Sequence, residues 1–208
     1  MKKQICILTK SLKDRDYCVA GIDLQTKQWI RLVSSKDGGA IPKELLDDRN
    51  INVLDVIEIE LKGSVPYKTQ IENWLIDDIK QITKIGIMIF DQILRLRPYD
   101  MPKFIFGTRN SGLTVDEVKN LGHSLEMVQV QNLAFDTSVK SDGRNHHRVV
   151  FDYNGYRYNL PLTDPKFRVE TIDSFVLPKA TIIVSIPPVP YGEMELFYKF
   201  VARIFYKI

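Results

Sequence analysis

The chain has 208 residues, 44% hydrophobic and 26% charged, with 29 Lys and Arg against 26 Asp and Glu for a formal net charge of +3. That balance excludes wholesale disorder, collagen-like repeats and a coiled coil, and the length suits one domain or two small ones. The charge is spread over both halves, so any attraction for anions must come from local arrangement.

The run Ile5-Cys6-Ile7-Leu8 is too short for a signal-peptide core or a bilayer span. Cys6 and Cys18 sit among apolar residues, where a free cysteine behaves as a small hydrophobe, so a cytoplasmic protein with no disulfide framework and no membrane partner is expected. Ile5–Leu8, Tyr17–Ile22 and Trp29–Val33 read as short strands of a meander separated by turn-prone segments. After Gly38-Gly39 and Pro42, Val53–Leu61 alternates Ile57, Ile59 and Leu61 with Glu58 and Glu60, the period of a fourth strand.

The period then changes. Ile79, Ile82, Ile85, Ile89, Ile93 and Leu96 recur every three or four positions, which predicts a helix over 74–96 stopped by Pro98. Thr114-Val115-Asp116-Glu117 has the form of a capping box opening a second helix, with Gly122 as its stop. The middle of the chain, about 70–122, therefore reads as a helical insert between strand-rich ends.

Strands resume at Met127–Val130. Asn154-Gly155 between alternating segments predicts a two-residue hairpin over 149–160, pairing Tyr153 with Tyr156, Asp152 with Arg157 and Phe151 with Tyr158. One hairpin face is then aromatic and the other polar. Ala180–Ile186 is a further strand, followed by Pro187-Pro188-Val189-Pro190. Residues 197–208 fit a strand or a helix with Lys199, Arg203 and Lys207 on one face, and the β-branched and aromatic content favours the strand. An echo between the 5–22 and 182–204 segments, each a strand, a loop and a strand holding Val-Ala, suggests two related modules. The expected fold is mainly β with a helical insert: 1–122 as a first barrel-like module and 123–208 as a second.

Signatures of phosphate loops, zinc proteases, paired-cysteine sites and nucleophile elbows are absent. Gly107–Gly112 reads as a loop rather than a phosphate cradle. His146 and His147 are adjacent and so point to opposite faces of a strand, which argues against a metal site; no metal or cofactor is expected. With Asn145 and Arg148 they form either a polar lead-in to the next strand or a patch that touches phosphates.

Aromatic and cationic residues interleave twice. Lys140, Arg144, Arg148, Arg157, Lys166 and Arg168 surround Tyr153, Tyr156 and Tyr158, and Lys199, Arg203 and Lys207 follow Phe197. Bases stack on rings and phosphates pair with cations, so these residues suit a single-stranded nucleic acid; inward tyrosines and outward lysines on an ordinary edge strand give the same pattern. Trp29 and Arg31 share a strand face and admit the same two readings.

The segments Tyr17-Cys18-Val19-Ala20-Gly21-Ile22-Asp23, Trp29-Ile30-Arg31-Leu32-Val33-Ser34, Gln70-Ile71-Glu72-Asn73 and Tyr198-Lys199-Phe200-Val201-Ala202 resemble signature segments of the dual OB-containing domain family of bacterial proteins. The resemblance spans essentially the whole chain. It implies two tandem OB-like β-barrels and nucleic-acid or nucleotide binding in bacterial defence, with no catalytic residue set. The expected function is therefore binding of a single-stranded nucleic acid or nucleotide. The alternatives are a subunit that docks an effector or toxin protein, and a nucleotide-processing enzyme or RNase using His146 and His147.

Overall fold

The structure, a computed structural model, describes residues 1–13, 15–77, 81–98, 100–139, 145–167 and 176–207. The chain divides into two compact units, Met1–Asp100 and Met101–Ile208. The division falls ahead of the expected position at 122, because residues 101–122 contribute Ile105, Phe106 and Leu113 to the core of the second unit.

The first unit is built from β1 (Lys2–Lys13), β2 (Asp16–Asp23), β3 (Trp29–Val33), β4 (Asp55–Ser64), β5 (Asn73–Ile76) and β6 (Thr83–Ile87). β1 pairs antiparallel with β2 on one side and with β4 on the other, and a bulge between Ile7 and Thr9 bends it. β3 then pairs with β5 in parallel, from Arg31 opposite Asn73 to Val33 opposite Leu75, and β5 pairs with β4. The ring β1-β2-β3-β5-β4 is closed, which is the strand order and parallel closure of an OB barrel. Ile5, Ile7, Val19, Ile30, Leu32 and Ile57 fill it. The short helix α1 (Lys43–Asp47), between the third and fourth strands, adds Leu45 and Leu46 to that core.

Gly21 in β2 lies where β1 passes closest. A Cβ there would stand 2.1 Å from the carbonyl oxygen of Cys6, so only glycine permits the approach.

The helix expected over 74–96 does not form. Asn73–Ile76 and Thr83–Ile87 are strands, and among the described residues of that stretch only α2 (Phe90–Ile93) and a 3-10 turn, Leu94–Leu96, are helical. The helical spacing joins unlike segments: of the described positions that match it, only Ile85 lies in β6, while Ile93 and Leu96 belong to the short helical turns. The isoleucines of β6 are not core residues at all: Ile85 and Ile87 are 45% and 67% exposed along a sheet edge, and Ile89, just beyond it, is 61% exposed. Ile79 lies outside the described residues.

The second unit begins with β7 (Gly112–Leu113) and α3 (Val115–Lys119). The capping box forms as expected: Glu117 N–H donates to Thr114 Oγ at 3.3 Å and Thr114 N–H to Glu117 Oε2 at 2.7 Å. The helix ends at Lys119 with Asn120 as its C-cap, short of Gly122. The barrel follows as β8 (Leu125–Val139), β9 (Asn145–Tyr153), β10 (Tyr156–Pro161), β11 (Val176–Ser185) and, after β12 (Phe197–Tyr198), which pairs with β7 in a separate two-stranded sheet, β13 (Phe200–Phe205). The sheet order is β10-β9-β8-β11-β13, and a parallel bridge between Leu162 and Val201 brings its two ends together. The third and fifth strands thus meet in parallel, as in the first unit.

The hairpin has the expected register, with Asn154 and Gly155 both at positive φ (48° and 77°) as a type I′ turn requires. The C-terminal segment is strand, as favoured. The internal echo does not relate equivalent strands: β1 and β2 open the first barrel, whereas β11 and β13 close the second. No helix among the described residues is long and apolar enough to cross a membrane.

Candidate nucleic-acid interface

Alternation along β9 and β10 sends Phe151, Tyr153, Tyr158 and Leu160 inward, where all four are buried. The aromatic hairpin face is therefore core. Tyr158 stacks on Phe151 with centroids 5.6 Å apart and donates its hydroxyl to the Thr108 carbonyl at 3.3 Å. Tyr153 donates to the Pro102 carbonyl. Neither ring offers a face to a base.

Lys199 is also enclosed, with 0% of its surface exposed; it sits at the break between β12 and β13 and donates to Thr108 O at 2.7 Å. Burial pushes its pKa down to about 8 against the opposing pull of Glu126 and Glu117. Arg203 pairs with buried Asp164 at 3.1 Å, and the other oxygen of that carboxylate accepts from Ile204 N–H at 3.0 Å. Trp29 is buried, its indole N–H without a hydrogen-bond partner, and Arg31 forms a buried ion pair with Glu72 at 3.1 Å. In these four residues the cation or ring is spent on the barrel.

Four sequence-predicted residues keep surface roles. Arg157 is 70% exposed and 3.9 Å from Asp152. Tyr156, at the end of the hairpin, accepts from Arg109 at 2.7 Å and lies under its guanidinium at 4.0 Å, with the Phe104 ring 4.9 Å away. Arg148 is held on Asn159 by bonds of 2.6 and 2.7 Å to the side chain and backbone oxygens. Lys207 is exposed beyond β13. His147 pairs across from Thr137 with an enclosed Nδ1 that has no partner, and His146 stands opposite Ser138; the His146 side chain, Lys140, Arg144 and Arg168 lie outside the described residues. Among the described residues no three His, Cys, Asp or Glu side chains gather as metal ligands would.

The polar face of the hairpin continues across the sheet. Arg157 of β10 stands opposite Asp152 of β9, Asp152 opposite Gln131 of β8, and Gln131 opposite Lys179 of β11. This four-strand row lines a groove of about 640 Å³, with Gln129 and Asn154 beside it. Three strand spacings separate its cations, about 14 Å. Gln131 and Lys179 escaped the sequence reading; the signal was the alternation of Gln129 and Gln131 with Val128 and Val130. By contrast, Lys2, Lys10 and Lys84 of the first unit lie 2.6–2.9 Å from Glu58, Asp47 and Asp55.

The family model for a dual OB-containing domain matches residues 3–204. The chain belongs to that family. No curated protein matches the dual OB chain in sequence. Solved structures similar to it include the p204 HINb domain (6% identity, TM-score 0.40, 97% of this chain and 91% of that one). A murine DNA-binding protein bound with double-stranded DNA gives 6%, 0.37, 100% and 97% on the same measures. The Ifi202 HINa domain in complex with 20-bp double-stranded DNA gives 12%, 0.36, 99% and 94%. Scores this low carry no function across to the dual OB chain.

Proposed function

We propose that the protein binds single-stranded nucleic acid across the outer face of its second barrel, with no catalytic role for His146 or His147. The observation that supports this reading most is the row Arg157–Asp152–Gln131–Lys179. It places a cation at each end of a groove and amide and carboxylate groups between, on the sheet that OB barrels present to oligonucleotides. Arg157 and Lys179 meet phosphates, and Gln131, Gln129 and Asn154 offer hydrogen bonds to base edges. Arg109 with Tyr156 and Phe104 marks the hairpin end of the path, where a ring and a cation are both near the surface. Binding of this kind suits the bacterial defence setting that the family resemblance implies.

Fluorescence polarisation with labelled single-stranded DNA, single-stranded RNA and duplex DNA at two salt concentrations tests the reading. The single strands should bind more tightly than the duplex and weaken as salt rises. Equal or tighter binding of the duplex, or no binding of any of the three, overturns it.

A second reading has one observation in its favour. The edge strand β6 exposes Ile85 and Ile87, as a protein-docking subunit could. Such a protein would ignore all three oligonucleotides.

A further inference from the structure

Asn73 opens β5 where the parallel closure of the first barrel begins, opposite Arg31. Its side chain is wholly buried, yet neither the amide nitrogen nor the amide oxygen has a hydrogen-bond partner. A buried orphan amide is destabilising, and an asparagine carries two such groups where a leucine of similar size would carry none. The position therefore invites a role that leucine could not fill.

The surroundings supply one. Gly38, in the loop between β3 and α1, has φ +82°, and a Cβ on it would stand 3.4 Å from Asn73 Nδ2, 3.6 Å from Gln70 Oε1 and 3.6 Å from the Tyr67 ring. A glycine thus brings bare backbone against two carboxamides and an aromatic ring. Gln70 is itself more than nine-tenths buried, and Lys68 holds its ammonium 5.0 Å over the Tyr67 ring. Two carboxamides give paired donors and acceptors, and the ring gives a stacking surface. That combination matches the hydrogen-bonding edge and π-face of a nucleobase.

We infer that Asn73, Gln70 and Tyr67 form a nucleobase site in the first barrel, closed in this structure by the Gly38-Gly39 turn. The turn is bonded to itself, Ser34 N–H to the Gly39 carbonyl at 3.0 Å and Gly38 N–H to the Ser35 carbonyl at 3.1 Å, so it can lift as a unit. Lifting exchanges an orphan carboxamide for one paired to a base. The site involves no residue of the second-barrel groove and stands or falls separately from it.

The test uses the full chain, the variants Asn73→Leu and Tyr67→Ala, and two sets of probes: adenosine, guanosine, cytidine and uridine, and homopolymer oligonucleotides of the same bases. The side-chain amide resonance of Asn73 and the melting temperature are read. At least one probe should shift that resonance saturably. Calorimetric binding of that probe should be lost in Asn73→Leu and weakened in Tyr67→Ala, while Asn73→Leu raises the melting temperature by about 2–4 °C. A shift by nucleosides assigns the site to free ligands, and a shift by oligonucleotides alone assigns it to bases of a strand. Arg157→Glu with Lys179→Glu should leave nucleoside binding intact, which separates this site from the groove. No shift with any probe, or a lower melting temperature for Asn73→Leu, overturns the inference.

Discussion

The ammonium of Lys199 lies 2.7 Å from the carbonyl oxygen of Thr108, inside a barrel that leaves none of the lysine exposed. Tyr158 donates to the same carbonyl, so one backbone oxygen gathers both groups beneath the loop that carries Arg109.

The Lys199 pair fixes a pH dependence. Burial lowers the folded-state pKa to about 8, so above pH 8 the folded protein has released a proton that the unfolded chain still holds. Stability from this group therefore rises with pH from 8 upward and is lost as pH falls through 8. The thiol of Cys6, pushed up to about 12 by burial, opposes the trend once unfolded thiols ionise near pH 9. The clean window is pH 8 to 9, where denaturant titration should show a gain of about 1 kcal/mol. Lys199→Met should flatten that gain.

Gly21→Ala tests the close pass of β1 over β2. Its Cβ would meet the Cys6 carbonyl at 2.1 Å, and backbone cannot yield as a flexible side chain does. A loss of about 3 kcal/mol is expected on chemical denaturation. Gly63→Ala, whose Cβ would have nothing within 4 Å, should stay within about 1 kcal/mol of the parent protein.

Arg31→Met should destabilise by about 3–5 kcal/mol at pH 7, since it leaves the Glu72 carboxylate buried without its guanidinium. Oligonucleotide affinity, measured well below the melting transition, should not change. A selective loss of affinity with unchanged stability would return Arg31 to the binding surface.

Replacing Arg157 and Lys179 with Glu should weaken binding of every oligonucleotide alike and reduce the salt slope of the affinity by about 2, one for each lost phosphate contact. Gln131→Ala should instead change the preference among bases while the salt slope holds. Both effects are read from polarisation titrations at several salt concentrations.

What was legible in the sequence follows how local each determinant is. The hairpin could be read because Asn154-Gly155 sets its register within a few residues, and the α3 cap because Thr114 and Glu117 satisfy each other's backbone. β6 could not, because the apolar positions that share helical spacing come from loop, strand and short helical turns in succession, and nothing local marks where one gives way to the next. For the candidate site, period-2 alternation sorts residues onto two faces without saying which face turns inward. Tyr153 and Tyr158 thus looked available until the long-range core of the second unit claimed them. The row from Arg157 to Lys179 joins positions on four strands, a coincidence of registers that one strand at a time does not reveal.

β6 leaves an open strand edge with Ile85 and Ile87 bared along it and Ile89 just beyond. Its colloidal behaviour should be set there rather than by the barrels: a concentrated solution will scatter light and turn turbid while every molecule in it remains folded. A lysine in place of Ile87 should keep the same solution clear. Anyone purifying the protein will therefore meet the sixth strand before meeting the ligand.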